Sequence, residues 1–192
     1  MSYTANDYSN LLGMEGFSET LLKNHFTLYQ GYVNNTNKLM QILDAMLKED
    51  KTGTPEYAEL KRRIGFEFNG MRLHEFYFGN LGGKDKPSDY QKATKIIEEN
   101  FGSFANWEKD FKATGAMRGI GWVILYQDNV NGRLFNQWIN EHETGHFAGC
   151  TPVLVMDVFE HAFMTDYGLK RADYIAAFFK NICWDAVEKR LK

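Results

Sequence analysis

The chain has 192 residues, 44% apolar and 24% charged, with 22 basic against 25 acidic side chains and a formal charge of -3. This balance excludes a disordered, collagenous or coiled-coil protein and argues against a nucleic-acid partner, which calls for a basic surface. No apolar run reaches the roughly 20 residues of a membrane-spanning helix, so no membrane partner is expected either.

The opening stretch MSYTANDYSNLLGMEGF has neither a basic segment nor an apolar run with a small-residue cleavage site. Cys150 and Cys183 fit no zinc spacing. Reduced thiols and a cytoplasmic location are therefore expected. Ser18 after Phe17 reads as an N-cap, with Phe17 and Leu22 placed as a hydrophobic staple, and opens a helix to about Leu47. Its apolar stripe runs Leu21, Leu22, Leu28, Tyr29, Tyr32, Val33, Leu39, Leu43 and Met46. Thr54 and Pro55 supply the N-cap and first residue of a second helical region to about Leu81, interrupted or kinked near Gly65 and Gly70. The turn-forming segment 82–89 reads as a domain boundary. Beyond it come helices at about 89–100 and 104–112, a β-hairpin of WVILYQ and RLFNQWIN about the turn DNVNG, and a third strand at about 152–157. That strand breaks into a short helix at Glu160, and one amphipathic helix closes the chain from about Ala172 to Leu191. The expected class is α+β: an antiparallel helical hairpin domain over 1–85, then an α/β domain with a three-stranded antiparallel sheet over 86–192.

The histidines carry the chemistry. His25 shares a helix face with Tyr29 and Tyr32, and His74 lies in an aromatic stretch of the second helical region. Inward-facing imidazoles need partners, and antiparallel helices can bring these two together. Asp157 ends an apolar strand, and His161 follows one turn into a helix. Three imidazoles and one carboxylate form a mixed nitrogen and oxygen set suited to iron or manganese, or less selectively zinc and copper, and unsuited to calcium or magnesium.

The strings around these residues resemble the iron/manganese superoxide dismutase family over nearly the whole chain after about residue 15. DVFEHAF at 157–163 is similar to the family's DVWEHAY, and HEFYFGNL to its second-histidine helix. YVNNTN, FGSFANWEKDF, GIGW and RADYI follow in the family's order. The resemblance implies His25, His74, Asp157 and His161 as ligands of one iron or manganese ion that clamps the two domains. It implies superoxide as substrate, with one molecule oxidised to dioxygen and another reduced to hydrogen peroxide. It further implies a homodimer, with a tetramer as the larger alternative, and places Glu160 at the dimer interface. A single carboxylate leaves a net positive first shell, which attracts an anion.

Several positions depart from the family pattern. Tyr32 resembles the gateway tyrosine but lies seven residues after His25 instead of the usual eight, and Tyr29 is a rival. His142 falls where the family often has a glutamine touching the bound solvent, and Gly70 leaves empty a slot from which iron types often bring one; a close imidazole would explain a glycine there. Trp122 resembles a tryptophan that walls the pocket. Phe159 replaces the usual tryptophan of the signature, and Met164 the usual tyrosine. Lys23, Arg72 and Arg171 are candidates to guide an anion.

Two rival readings remain. His142-Glu143-Thr144-Gly145-His146 matches H-E-x-x-H, which on a stable helix would make a zinc-dependent hydrolase, although Gly145 and the polar flanks oppose a buried helix. Otherwise His146 reads as a surface or rim residue. The other rival is a metal-binding protein that kept the fold without turnover.

Overall fold

The computed structural model describes residues 2–192. Helix α1 (Glu19–Lys48) starts where Ser18 Oγ accepts from Leu21 N, and the staple residues Phe17 and Leu22 are both buried. Helix α2 (Pro55–Gly79) is capped by Thr54, whose hydroxyl accepts from Tyr57 N. The two helices form an antiparallel pair. α1 buries Leu21, Leu22, His25, Tyr29, Val33, Thr36 and Leu43. Leu28, expected in this stripe, lies at its edge and is exposed.

α2 is one unbroken helix and ends at Gly79. The interruption expected at Gly65 and Gly70 is absent, because the missing side chain at Gly70 admits a neighbouring ring while the backbone ladder continues.

Helices α3 (Gln91–Phe101) and α4 (Phe104–Gly115) lead into strands β1 (Gly121–Asp128), β2 (Leu134–Asn140) and β3 (Cys150–Asp157). The sheet is antiparallel throughout in the order β2-β1-β3, and β1 is buried along nearly its whole length. Trp122 stands opposite Asp157, and Val123 opposite Met156. Side chains alternate across a strand, so Trp122 and Asp157 face the helical hairpin. Val123 and Met156 face Gly115 of α4 on the other side. Pro152 is accommodated where the β1/β3 register shifts, a bulge on an edge strand.

Asn80 joins the hairpin to the sheet. It is fully buried, and its amide donates to Val155 O at 3.1 Å and accepts from Val155 N at 3.0 Å, pairing with β3 as another strand would.

After β3 come a single helical turn (Glu160–Ala162), then α5 (Met164–Tyr167), α6 (Arg171–Lys180) and α7 (Trp184–Arg190). The single closing helix expected from the sequence is two. Residues 181–183 pair with 80–83: Gly83 N donates to Asn181 O, Cys183 N donates to Asn80 O, and Leu81 bridges to Ile182. Those groups are thereby taken from the helical ladder. A Cβ on Gly83 would stand 2.2 Å from Ile182 O, a backbone atom that cannot swing aside. Gly83→Ala is expected to cost about 3 kcal/mol. For a chain of this size that lowers Tm by roughly 6–12 °C, readable by thermal unfolding of the metal-free protein; an unchanged Tm would show that the pairing is dispensable.

Candidate metal centre

Four side chains from four elements meet between the hairpin and the sheet. His25 comes from α1, His74 from α2, Asp157 from the last position of β3, and His161 from the turn that follows. The Nε2 atoms of His161, His25 and His74 lie 3.0, 3.2 and 3.7 Å from Asp157 Oδ2. All four donor atoms fall within 4.8 Å of one another, and among the described residues no other group of three or more such side chains converges in this way. Donors about 2.1 Å from a shared ion would be separated by about 3.0 Å at right angles and about 3.6 Å at trigonal angles, so these spacings fit one ion.

Two further observations favour an ion over a hydrogen-bonded cluster. Nε2 of His25 and Nε2 of His74 are buried with no hydrogen-bond partner, although each faces the carboxylate. Orphaned polar atoms in a protein core are rare and call for an explanation. The second nitrogen of His74 is already committed: Nδ1 lies 2.6 Å from Gly70 O, an acceptor, so it carries the proton and Nε2 presents its lone pair.

Asp157 is fixed at both ends. Its Oδ1 accepts from Phe159 N at 2.8 Å, and its main-chain oxygen accepts from the Tyr174 hydroxyl at 2.6 Å. Burial pushes its carboxyl pKa up, but the facing imidazoles of His161 and His25 outweigh that and hold it below the usual range. Burial lowers the pKa of His25 and, with the help of His25, that of His74 well below the ordinary value. Both rings are neutral at pH 7, the state a ligand requires.

A second hydrogen-bonded set stands beside the first. His142 is fully buried; its Nδ1 accepts from Trp122 Nε1 at 3.0 Å, and its Nε2 lies 2.8 Å from the Tyr32 hydroxyl. Burial lowers the His142 pKa to about 4. Indole N–H only donates, so Nδ1 is the acceptor, and the neutral ring carries its proton on Nε2 and donates it to Tyr32. The Tyr32 ring stacks on His74 at 5.2 Å. It occupies the space at Gly70, where a Cβ would come within 2.6 Å of Tyr32 Cδ1. The glycine thus makes room for a phenol ring, where the sequence suggested an imidazole. Tyr29 is turned elsewhere, its hydroxyl accepting from Asn6 N and donating to Glu75.

Residues 89–190 match the family described as iron/manganese superoxide dismutases, C-terminal domain. An iron superoxide dismutase of Aquifex pyrophilus is 38% identical over 97% of this chain and 89% of its own length. The chain belongs to the iron/manganese superoxide dismutase family. Further similar members are an iron superoxide dismutase of Saccharolobus solfataricus, 34% identical over 85% of this chain and 80% of its own, and a manganese superoxide dismutase of Haloferax volcanii, 32% identical over 87% and 82%.

Against the superoxide dismutase pattern, His142 does what a glutamine can do: accept from Trp122 with one atom and donate to Tyr32 with another. His142→Gln is therefore expected to leave metal content intact and to alter only the balance between iron- and manganese-supported activity. It also has a pH signature. Because the folded pKa lies below the ordinary 6.5, the unfolded chain takes up the proton first. This contribution to stability is complete above about pH 6.5 and is lost, by about 3 kcal/mol, as the pH falls toward about 4. Denaturant titrations of the metal-free protein should show a shallower loss over that window in the variant; identical slopes would contradict the buried neutral imidazole.

The structure removes the basis of the protease reading. Residues 141–145 form turns, with Glu141 at φ 51° and Gly145 at φ 108°, so the two histidines do not share a helix face. His142 points inward, while Glu143 is exposed. His146, expected at the surface or rim, is half-buried with both ring nitrogens bonded. Trp122 lies edge-on to His74 at 5.0 Å. Of the candidate guiding cations, Lys23 pairs with Glu19, Arg72 pairs with Glu75, and Arg171 donates to Met117 O and Gly119 O. Glu160 is exposed beside His161. Sequence reading missed Phe66, 4.5 Å from His142 and 6.2 Å from Tyr32 between ring centroids. The available signal was its place four residues before Gly70 and eight before His74, on one helix face.

Proposed function

We propose that the chain is a superoxide dismutase using one iron or manganese ion, held by Nε2 of His25, His74 and His161 and by Oδ2 of Asp157. The observation that carries this reading is the convergence of three imidazole Nε2 atoms on one buried carboxylate, two of them otherwise without a partner. When bound, such an ion would supply the one-electron couple that superoxide dismutation needs. Asp157 would neutralise only part of the charge of a bound ion, which would leave the site attractive to an anion. His74, oriented by Gly70 O, cannot rotate away from the shared point. The Tyr32 hydroxyl has its pKa pushed up to about 12 by burial and by Asp157, so it remains protonated. It accepts from His142 Nε2–H, which leaves its own proton free for the site. We assign Tyr32 Oη as the atom that holds a transferable proton for the product peroxide. Phe66, Phe159 and Trp122 surround this pair and limit water around it.

The same proposal covers the division into a hairpin unit over 1–85 and an α/β unit over 86–192, each supplying two of the four donors. It also includes a homodimer formed through the face of Glu160 and Met164, the latter 42% exposed. A cytoplasmic location is part of the same proposal; no helix among the described residues is long and apolar enough to cross a membrane.

The test is superoxide decay followed with the purified chain loaded separately with iron, manganese and zinc. Turnover with iron or manganese and none with zinc, which has no accessible redox couple, is expected. A protein that binds the ions and leaves superoxide decay at the background rate in every form would contradict the proposal.

A further inference from the structure

His146 makes two hydrogen bonds that nothing in the four-donor site requires. Its Nε2 lies 2.9 Å from the main-chain oxygen of His142, and its Nδ1 lies 2.6 Å from the Tyr126 hydroxyl. A carbonyl only accepts, so Nε2 carries the proton, and the lone pair of Nδ1 is placed to accept from the Tyr126 hydroxyl. Burial raises the Tyr126 pKa and keeps that hydroxyl a donor. The ring therefore links β1, through Tyr126, to the turn that bears His142.

That turn is demanding. Asn140 N donates to Thr144 O and Thr144 N to Asn140 O, closing a small loop that Glu141 enters at φ 51°. A Cβ on Gly145 would stand 2.8 Å from Trp138 O. His142 is the buried residue within a run whose neighbours 141, 143, 144 and 145 are exposed. A buried imidazole carried on an exposed turn needs its main chain held from outside the turn, and the His146 ring supplies that hold four residues on.

We propose that His146 is a positioning residue: by bonding the His142 carbonyl and bracing against Tyr126, it fixes the His142 ring where Nε2–H meets the Tyr32 hydroxyl. For its effect on turnover this rests on the dismutase reading; the geometric part does not. The rotation allowed when the carbonyl is released would lengthen the 2.8 Å contact to Tyr32 and the 3.0 Å contact from Trp122 together, since both belong to one rigid ring.

The test uses the full chain loaded with diamagnetic zinc, in which imidazole N–H protons are observed by NMR. In the unaltered protein the His142 Nε2–H signal is expected to be sharp and slow to exchange with solvent. His146→Phe, which fills the space without a donor, should lose that signal, and His146→Gln, whose amide can still donate to the carbonyl, should restore it. In the iron or manganese form, His146→Phe should lower kcat by about tenfold, the scale of an outer partner of a metal site. If His146→Phe does not fold, Tyr126→Phe replaces it, removing one brace and speeding exchange of the His142 proton. A His142 signal unchanged in His146→Phe, or in Tyr126→Phe where that stands in, overturns the proposal. A chain with no dismutase activity in any metal form would refute the function and leave the NMR result decisive for His146.

Discussion

Asp157→Asn is expected to abolish metal binding while leaving a folded chain. The amide keeps an oxygen to accept from Phe159 N, so the end of β3 has no reason to move. What is lost is the only negative charge among the four donors. Losing a partner outside the ligand shell typically costs a metal site 10- to 100-fold in affinity or activity, and losing a charged ligand should cost more. Metal linkage gives a second readout. An ion present at about 1,000 times its Kd stabilises the native state by about 4 kcal/mol, or roughly 8–16 °C in Tm for a chain of this size. The unaltered protein should show that upshift on adding manganese, and Asp157→Asn should not. Stoichiometric metal in the purified variant would contradict the assignment of Asp157.

Gly70→Ala should separate activity from stability. Alanine in a helix interior is favoured over glycine by about 1 kcal/mol, so α2 alone would gain. The added Cβ, however, would lie 2.6 to 3.0 Å from three atoms of the Tyr32 ring, and that ring is backed by His74. Relief requires the phenol to move by about 1 Å, and a displacement of that size at a reacting group can cost on the order of 100-fold. The hydroxyl would then leave the His142 Nε2–H that orients it. The expected result is full metal content, a Tm close to that of the unaltered chain because the two effects offset, and superoxide turnover lower by about two orders of magnitude. Unchanged turnover would show that the placement of Tyr32 does not limit the reaction.

The parts of the molecule that local chemistry specifies were legible in the sequence. Ser18 and Thr54 cap the helices they announce, and the hairpin strands flank the turn that Asp128 to Gly132 suggests. The four side chains that converge could be singled out: His74, Asp157 and His161 lie in short strings similar to the family's, and His25 shares a helix face with Tyr29 and Tyr32. What escaped depends on partners distant in the chain. The break between α6 and α7 follows from hydrogen bonds to residues 80–83, about a hundred positions earlier, which no helical periodicity encodes. That Tyr32 meets His142 while Tyr29 does not goes with Asn6 N and Glu75, which both engage the Tyr29 hydroxyl. The H-E-x-x-H string stayed a rival in the sequence, opposed by Gly145 and its polar flanks, because five residues cannot reveal that Glu141 and Gly145 take left-handed backbone conformations. His146 looked unremarkable because one of its partners is a main-chain oxygen and the other a hydroxyl on β1.

Anomalous diffraction from crystals of the protein grown with iron or manganese, with data collected on both sides of the metal's absorption edge, addresses the metal assignment without reliance on kinetics. One peak per chain is expected, lying among His25 Nε2, His74 Nε2, His161 Nε2 and Asp157 Oδ2. A peak beside His142 and His146, or no peak between those four atoms, would contradict it.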